Sequence, residues 1–455
     1  MRRHDQLSLD RPWIETPARA GVAWIEHPHA WELEAISRIL DEEVGIAERV
    51  GQDLVRGVKN PETGRLGMSG DQVLRVLLVK QMNGFSYEVL HFHLLDSASY
   101  RTFCRFGALE AVPSRSAVAE NLKKVRAETL EAINRVLLTR AAAEGVERGR
   151  KVRIDSTGVE TNIHAPSDST LLWDAVRVLT RLLERAAAAV DLPQWSDHTK
   201  RAKRRILAIQ RAPTQEKRTP LYRDLLKVAR KVRGYAVAAR DALAGSDAEA
   251  RRRLAFELNH YRRLLERIIE QTERRVLGGE TVSASEKMVS IFEPHTDLLA
   301  KQGRETLYGH KLFLTGGASG LVLDCVIEDG NPADSTLCTR MLQRQEEIYG
   351  RPPRQAALDG GFASKPNLRE AKDLGVQDVC FSKKRGLQVP EMVKSTWVYK
   401  KLRDFRAGIE GVISFLKRAF GLDRCTWRGE LSFQSYVWSG ILSANLLTLA
   451  RHRLA

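Results

Sequence analysis

Short apolar runs that stop at small or acidic residues recur along this chain, separated by long stretches of helical periodicity. The first run is Lys151-Val152-Arg153-Ile154-Asp155-Ser156-Thr157, and another is Gln355-Ala356-Ala357-Leu358-Asp359-Gly360-Gly361-Phe362. Both read as buried strands, each closed by an acid at its carboxyl end. Lys311–Thr315 and Leu321–Ile327 are sheet-like, and the linker Gly316-Gly317-Ala318-Ser319-Gly320 makes a hairpin of them. Asp378-Val379-Cys380-Phe381 is a further strand. Helices are expected over Ser335–Tyr349 and near Asn367–Leu374. Leu402, Phe405, Ile409, Val412, Ile413, Leu416 and Phe420 recur at helical spacing and predict a long amphipathic helix. Between about Thr170 and Leu277 lies a helical tract with breaks near Pro193, Pro213 and Gly245. It lacks a sustained heptad, so a bundle is expected rather than one coiled coil. The stretch Tyr436–Ala450 is apolar but short, and carries Ser439, Ser443 and Asn445. It reads as a buried terminal helix, not a membrane span.

The N-terminal part is helical as well, after a mixed start with Trp13, Trp24 and Trp31. Ser69 and Gln72 form a capping pattern that opens a helix. Short helices follow and lead into a basic helix from Ser114 to Arg126. Short helices ending in a Ser-capped basic helix suggest a helix-turn-helix. Arg115 at its start would then meet base edges, and Lys123 and Lys124 would meet phosphates. An ordinary amphipathic helix in a small bundle is the alternative. His91 and His93, near Cys104 in sequence, read as packing groups.

The candidate chemistry rests on three carboxylates. Asp155 and Asp359 stand at two strand ends, and Glu410 lies on the amphipathic helix beside Arg403, Arg406 and Lys417. Hard oxygen ligands from such positions suit Mg²⁺. Two such ions can activate one oxygen and stabilise another in phosphoryl transfer, while the nearby cations hold phosphates. The alternative for Glu410 is a solvated face with helix-internal ion pairs.

Charge gives this reading a substrate. The chain has 455 residues and a formal charge of +16, so an anionic partner is expected, nucleic acid more than a membrane surface. From Asp197 to Glu280 there are 22 lysines and arginines against 11 acids. Arg201, Lys203, Arg204 and Arg205 in this tract are candidate DNA-backbone contacts, with solvated helix faces as the alternative. The five cysteines form no C-x-x-C pair, which argues against a zinc knuckle or disulfide framework and fits a reducing cytoplasm. The N-terminus lacks the apolar segment of a signal peptide.

The element order is that of the RNase H-like fold: strand with acid, hairpin, helix, strand with acid, helix, strand, helix with acid. The expected fold is therefore an α/β RNase H-like catalytic core with a mixed sheet, an all-α N-terminal domain, and a large helical insertion between the first and second core strands. The expected boundaries are 1–145 for the N-terminal domain, with its helix-turn-helix-like part around 69–126, and 149–425 for the core. The basic insertion takes 165–280, and a C-terminal helix takes 430–455.

Several stretches resemble the DDE transposases of bacterial insertion sequences, and within them the group called ISNCY. They are Ile154-Asp155-Ser156-Thr157 with Glu160-Thr161-Asn162-Ile163-His164, Ser167–Asp174, Ile291-Phe292-Glu293-Pro294-His295-Thr296, Tyr308-Gly309-His310-Lys311, and Leu358-Asp359-Gly360-Gly361-Phe362. Arg406, Glu410 and Lys417 also fall on the spacing of a Tyr-x2-Arg-x3-Glu-x6-Lys signature, although Arg403 stands where the tyrosine is expected. The resemblance implies a DNA transposase working by metal-dependent phosphodiester hydrolysis and transesterification. Asp155, Asp359 and Glu410 would hold two Mg²⁺, with Mn²⁺ able to substitute. Its partners would be double-stranded DNA, both terminal inverted repeats and target. A homodimer would act in the bacterial cytoplasm, at the nucleoid and away from membranes. Glu160 and His164 could support the metal site or touch DNA. His295, His310 and Lys311 could contact phosphates or be loop residues. The alternatives are an RNase H-like nuclease or resolvase without strand transfer, and an inactive DNA-binding transposase derivative.

Overall fold

The computed structural model describes residues 26–61, 63, 67–107, 110–244, 248–299 and 306–455. Trp13, Trp24 and Gly245 lie outside these residues. Two compact units emerge, one made of the chain up to Glu160 and from Lys311 onward, the other of Thr161–His310.

In the first unit the N-terminal helices are α1 (Pro28–Glu42), α2 (Ile46–Val55), α3 (Gly70–Asn83), α4 (Tyr87–Asp96), α5 (Ala98–Phe103), α6 (Arg115–Lys124) and α7 (Ala127–Ala143). The capping pattern at Ser69 forms as the sequence suggests: its hydroxyl accepts from Gln72 N–H, and Gln72 Oε1 accepts from Ser69 N–H, each at 3.1 Å. Gly70 has no room for a side chain, because a Cβ there would lie 2.1 Å from the Ala47 carbonyl oxygen of α2. The helix expected to reach Arg126 stops at Lys124. Val125 is extended, and Arg126 N–H donates to Asp53 Oδ2 at 2.9 Å, which starts α7 in a new direction.

The sheet is built from β1 (Lys151–Glu160), β3 (Leu307–Gly316), β4 (Val322–Glu328), β5 (Gln355–Leu358) and β6 (Asp378–Phe381), with β4 paired to β3 and then β3, β1, β5 and β6 in order. β3 and β4 are antiparallel, from Lys311 opposite Glu328 to Gly316 opposite Val322, so the expected hairpin is present. β1, β5 and β6 run parallel, which makes the sheet mixed. After β4 come a 3₁₀ turn at Asp334–Thr336 and α8 (Cys338–Tyr349), and between β5 and β6 lies α9 (Lys365–Asp373). The helix expected from Ser335 begins three residues later because the 3₁₀ turn takes its first positions.

A short helix, α10 (Val389–Met392), leads to α11 (Thr396–Phe420), capped by the Ser395 hydroxyl. α11 buries Leu402, Ile409, Leu416 and Phe420 and packs on β1, β5 and β6. The last helix, α12 (Glu430–Leu454), is buried around most of its circumference and packs on α1, α3, α7, α11 and β4. Of its buried polar residues, Asn445 and Ser439 find partners inside the core, whereas the Ser443 hydroxyl finds none among the described residues. Asn445 Oδ1 accepts from Val322 N–H at 2.9 Å, and its amide donates to Val322 O and Asn134 Oδ1, each at 2.7 Å. Because α12 belongs to both groups of elements, no boundary between 145 and 149 separates an N-terminal domain from the sheet: one continuous core holds both. No helix among the described residues is long and apolar enough to cross a membrane.

The second unit is larger than the expected 165–280. It holds α13 (Asp168–Ala187), α14 (Thr199–Arg211), α15 (Gln215–Leu243) and α16 (Glu249–Thr272), numbered after the helices of the first unit. They bury Leu172, Leu179, Leu225, Val232, Leu265 and Ile268 in a core of their own, so the tract is a bundle. β2 (Asp297–Leu299) pairs antiparallel with Leu307–Gly309 of β3, which brings Glu293–Leu299 into this unit.

Candidate active site

The meeting of Asp155 and Asp359 follows from strand register. β1 and β5 pair from Lys151 opposite Gln355 to Ile154 opposite Leu358, and Asp359 N–H donates to Ile154 O at 3.3 Å. Asp155 does not close its strand, contrary to the sequence expectation. β1 continues to Glu160, whose N–H and C=O bond Asp423 O and Cys425 N–H. The strand that ends here is β5, so Asp155 sits where its neighbour stops. Asp359 caps the 3₁₀ turn Gly360–Phe362; its Oδ2 accepts from Gly361 N–H at 3.4 Å and its Oδ1 from the Ser382 hydroxyl at 3.0 Å. Asp155 Oδ1 accepts from Ser156 N–H at 2.8 Å.

Helix α11 brings the third acid with its own counter-ion. Arg406 Nη2 lies 2.7 Å from Asp155 Oδ2 and 2.9 Å from Asp359 Oδ1, while Nη1 lies 2.8 Å from Glu410 Oε1. One guanidinium thus joins all three acids. The helix-internal pair that was the alternative reading of Glu410 therefore exists, but it is part of a bridge to both strand acids. Asp155 and Arg406 are largely buried, whereas the Glu410 side chain is 66% exposed. Arg153, two residues before Asp155 and so on the same face of β1, reaches under α11 and donates to Phe405 O at 3.3 Å. Gly408 leaves room for it, since a Cβ there would lie 2.0 Å from Arg153 Nη1.

The two aspartates are pushed apart electrostatically. Burial raises the Asp155 carboxyl above the ordinary aspartate range; Arg406 and Ser156 N–H oppose this, and the repulsion of Asp359 and Asp334 adds to it. For Asp359 burial also works against the charge. There Arg406, the N–H groups of Gly360 and Gly361 and the Ser382 hydroxyl outweigh it, and the carboxyl lies below its usual range.

The other sequence candidates are placed as follows. Arg403 is exposed one turn before Arg406 on α11, and Lys417 pairs with Asp423 at 3.4 Å. Glu160 is five residues beyond Asp155, hence on the opposite face of the strand, and its nearest cation is Arg424 at 3.9 Å. His164 belongs to the second unit, where it lies 3.5 Å from Asp174. In that unit Arg201 and Arg205 both pair with Asp224, whereas Lys203 and Arg204 are exposed. Arg115 is exposed at the start of α6, 4.0 Å from Glu88, and Lys123 and Lys124 are exposed at its end. His295 lies in the turn before β2 and His310 on β3. Their rings stack, Nδ1 of His295 lies 2.7 Å from Nε2 of His310, and Glu293 and Asp297 flank them in a buried chain.

Sequence reasoning missed Asp334 and gave Lys311 no partner. Lys311 Nζ lies 2.6 Å from Asp334 Oδ1, to which the Ser156 hydroxyl also donates at 3.1 Å. The signal was available: Asn331-Pro332-Ala333-Asp334-Ser335 places an acid shortly after a strand and before a helix, much as at Asp359.

The donor set at the three acids is carboxylate oxygen, which suits a hard divalent ion, and the acids already converge on one cationic group. Among the described residues no three His, Cys, Asp or Glu side chains stand ready to hold an ion as they are; Arg406 stands between them.

Residues 293–446 match the family described as Transposase DDE domain, and residues 23–124 match a transposase domain (DUF772). The first match takes in Asp359, Arg406 and Glu410 and begins after Asp155. No curated protein and no solved structure matches the chain. With two transposase domains matched on either side of the first core strand, the chain belongs to the DDE transposases of insertion-sequence type.

Proposed function

We propose that this transposase, of an ISNCY-like group, binds the terminal inverted repeats of its element, cleaves DNA at their ends and joins the freed 3′-OH to target DNA. The observation that carries the catalytic assignment is the convergence of Asp155, Asp359 and Glu410 on one guanidinium. The strand order, with β4 and β3 antiparallel beside β1, β5 and β6, supports an RNase H-like core.

Asp155, Asp359 and Glu410 would hold two Mg²⁺. When bound, the ions supply charge stabilisation for the phosphorane-like transition state and lower the pKa of an attacking water. The protein's own part is positional. Parallel pairing fixes Asp155 beside Asp359, and Ser156 N–H, Gly361 N–H and Ser382 orient the carboxylates. Arg406 pairs with all three acids and would be the guanidinium able to meet a DNA phosphate if those acids held the ions instead. Arg403 and Lys417 would extend that contact along α11. Arg115, Lys123 and Lys124 on α6 would read and hold the ends, and the exposed cations of the bundle would track the backbone. Two ends must be brought together, so a homodimer acts in the synaptic complex, in the cytoplasm at the nucleoid.

The test is a cleavage and strand-transfer assay with duplexes carrying the element's end and Mg²⁺. Wild type should cut and join. Asp155→Asn, Asp359→Asn and Glu410→Gln should each lose at least roughly a hundredfold in rate while still binding the duplex. Cutting without joining would favour a nuclease. Near-normal cutting by any of the three variants would remove that residue from the assignment.

A further inference from the structure

A second charged pair lies next to the three acids. Asp334, at the start of the 3₁₀ turn after β4, is the point where several parts of the site meet. Its Oδ1 takes both the Lys311 ammonium at 2.6 Å and the Ser156 hydroxyl at 3.1 Å. Ser156 immediately follows Asp155. On the other side Asp334 lies against Gly361: a Cβ on that glycine would come within 2.3 Å of Oδ2 and 3.0 Å of Cγ. Gly361 in turn supplies an N–H to Asp359. Asp334 therefore touches the neighbours of both strand aspartates. Lys311 is itself well buried, with a side chain 9% exposed, and its ammonium also donates to Pro332 O at 2.7 Å.

A buried ion pair of this kind is weak evidence for stability, because desolvation offsets most of its attraction. What it does supply is a fixed field. Asp334 repels the Asp155 carboxylate, and the Lys311 ammonium on β3 offsets that repulsion.

We infer that Asp334 and Lys311 are positioning residues of the catalytic site: Asp334 locks the Ser156 and Gly361 turns that carry Asp155 and Asp359, and the opposed charges of the pair set how strongly those acids attract a divalent cation. This rests on the metal-holding role proposed above for Asp155 and Asp359. It makes a prediction that a merely structural pair does not. Removing the acid leaves a net positive change beside the site and should weaken cation binding. Removing the lysine leaves a net negative change and should strengthen it. Structural damage would weaken both variants.

The experiment is direct Mn²⁺ binding to the full chain, read as free Mn²⁺ by electron paramagnetic resonance, with thermal unfolding in parallel. Asp334→Asn keeps the shape and an acceptor for Ser156; it should raise the Mn²⁺ dissociation constant about threefold or more. Lys311→Met should lower it by a similar factor, and Lys311→Gln replaces it as the test if the methionine variant does not fold. Gly361→Ala, which displaces the Asp334 carboxylate, should weaken binding as Asp334→Asn does. Shifts of the same sign for Asp334→Asn and the lysine variant, or no shift in either, overturn the inference. Wild type that binds Mn²⁺, with Asp155→Asn weakened and Asp334→Asn unchanged, overturns this inference alone. Wild type indistinguishable from Asp155→Asn overturns the metal reading and this inference with it.

Discussion

Arg406 Nη2 stands 2.7 Å from Asp155 Oδ2, joining residues 251 positions apart in the chain. The same atom lies 2.9 Å from Asp359, so this arginine is the counter-ion that lets two acids share one buried site. Its Nε is buried without a hydrogen-bond partner among the described residues. A guanidinium that leaves one donor unsatisfied in order to reach carboxylates is held there by charge. Arg406→Gln should remove the cation that competes with a metal ion. Mn²⁺ should then raise the melting temperature of the variant more than that of wild type, through ligand-linked stabilisation. In the absence of metal the variant should melt lower, because two close carboxylates lose their shared partner. DNA cleavage should nevertheless fall, since the DNA phosphate no longer meets a guanidinium. An equal or smaller Mn²⁺ effect on the variant would show that Arg406 does not compete for the site.

Asp359 and Glu410 should separate activity from stability. The Asp359 carboxylate is held in its charged form by Arg406, two N–H groups and Ser382, against the cost of burial. Asp359→Asn replaces an acceptor oxygen by a donor facing those donors and should cost about 1–3 kcal/mol of stability. That stability contribution belongs to the ionised form; it is present above the unfolded-state pKa and lost as pH falls through the lower folded-state value. Glu410 is 66% exposed and pairs within its own helix, so Glu410→Gln should stay within about 0.5 kcal/mol of wild type. Urea unfolding of the two variants checks the contrast; equal losses would contradict it.

Some of this was legible in the sequence, and the reasons differ by element. Short apolar runs at Leu312–Leu314, Ala356–Leu358 and Val379–Phe381 announce strands because a buried strand must be apolar on both faces, and Val152 and Ile154 flank Arg153 in the same way on β1. The end of β1 is misleading because Ser156-Thr157-Gly158 look like turn residues. The strand runs on beside β3, its other sheet neighbour, and Glu160 at its end bonds Asp423 and Cys425; no local pattern shows that. The joining of the N-terminal helices to the sheet is also hidden. It depends on α12 packing on α1, α3 and α7, which brings together residues hundreds of positions apart. Asp155, Asp359 and Glu410 can be picked out one by one, but Arg406 as their common partner needs the helix laid on the sheet. Asp334 is easily passed over because its lysine partner lies on the far strand of a hairpin.

The basic bundle contains two kinds of cation, and they should behave differently on DNA. Arg201 and Arg205 share Asp224, so part of their charge is already neutralised. Lys203 and Arg204 are exposed on the same helix. If the bundle tracks the DNA backbone, Lys203→Ala with Arg204→Ala should reduce the slope of log affinity against log salt by about 0.9 for each phosphate that is no longer neutralised. Arg201→Ala should change it less. Both reductions should be equal for end and random duplexes, whereas Arg115→Ala should weaken end duplex more than random, by about 1–3 kcal/mol. Salt titrations by fluorescence anisotropy give all these slopes. An unchanged slope for the double variant would leave those cations as a solvated face.

Lys80 gives a prediction at alkaline pH that is independent of DNA. It lies on α3 and is only 6% exposed, and its ammonium stands 5.0 Å from the Tyr87 ring centre and 6.0 Å from that of Trp427. The aromatic faces compensate the missing hydration only in part. Burial pulls the ammonium down to about 8, with Cys425 acting weakly the other way. In the unfolded chain a lysine titrates near about 10.4. Below about pH 8 both states carry the proton, and the folded state bears the full cost of burying it. Between about 8 and about 10.4 the unfolded state binds more protons than the folded state, so this group makes stability rise with pH. The accumulated gain is roughly 3 kcal/mol. Lys80→Met keeps the length and apolar stem and removes the charge. It should be more stable than wild type at pH 7, by on the order of 1–2 kcal/mol once the missing cation–π attraction is set against the gain. The difference between the two proteins should shrink as pH approaches 10. Urea unfolding of both across pH 7–10 isolates this group, because other titrations cancel in the difference. A gap that stays constant over that range would mean that Lys80 is no more costly to charge in the core than in water.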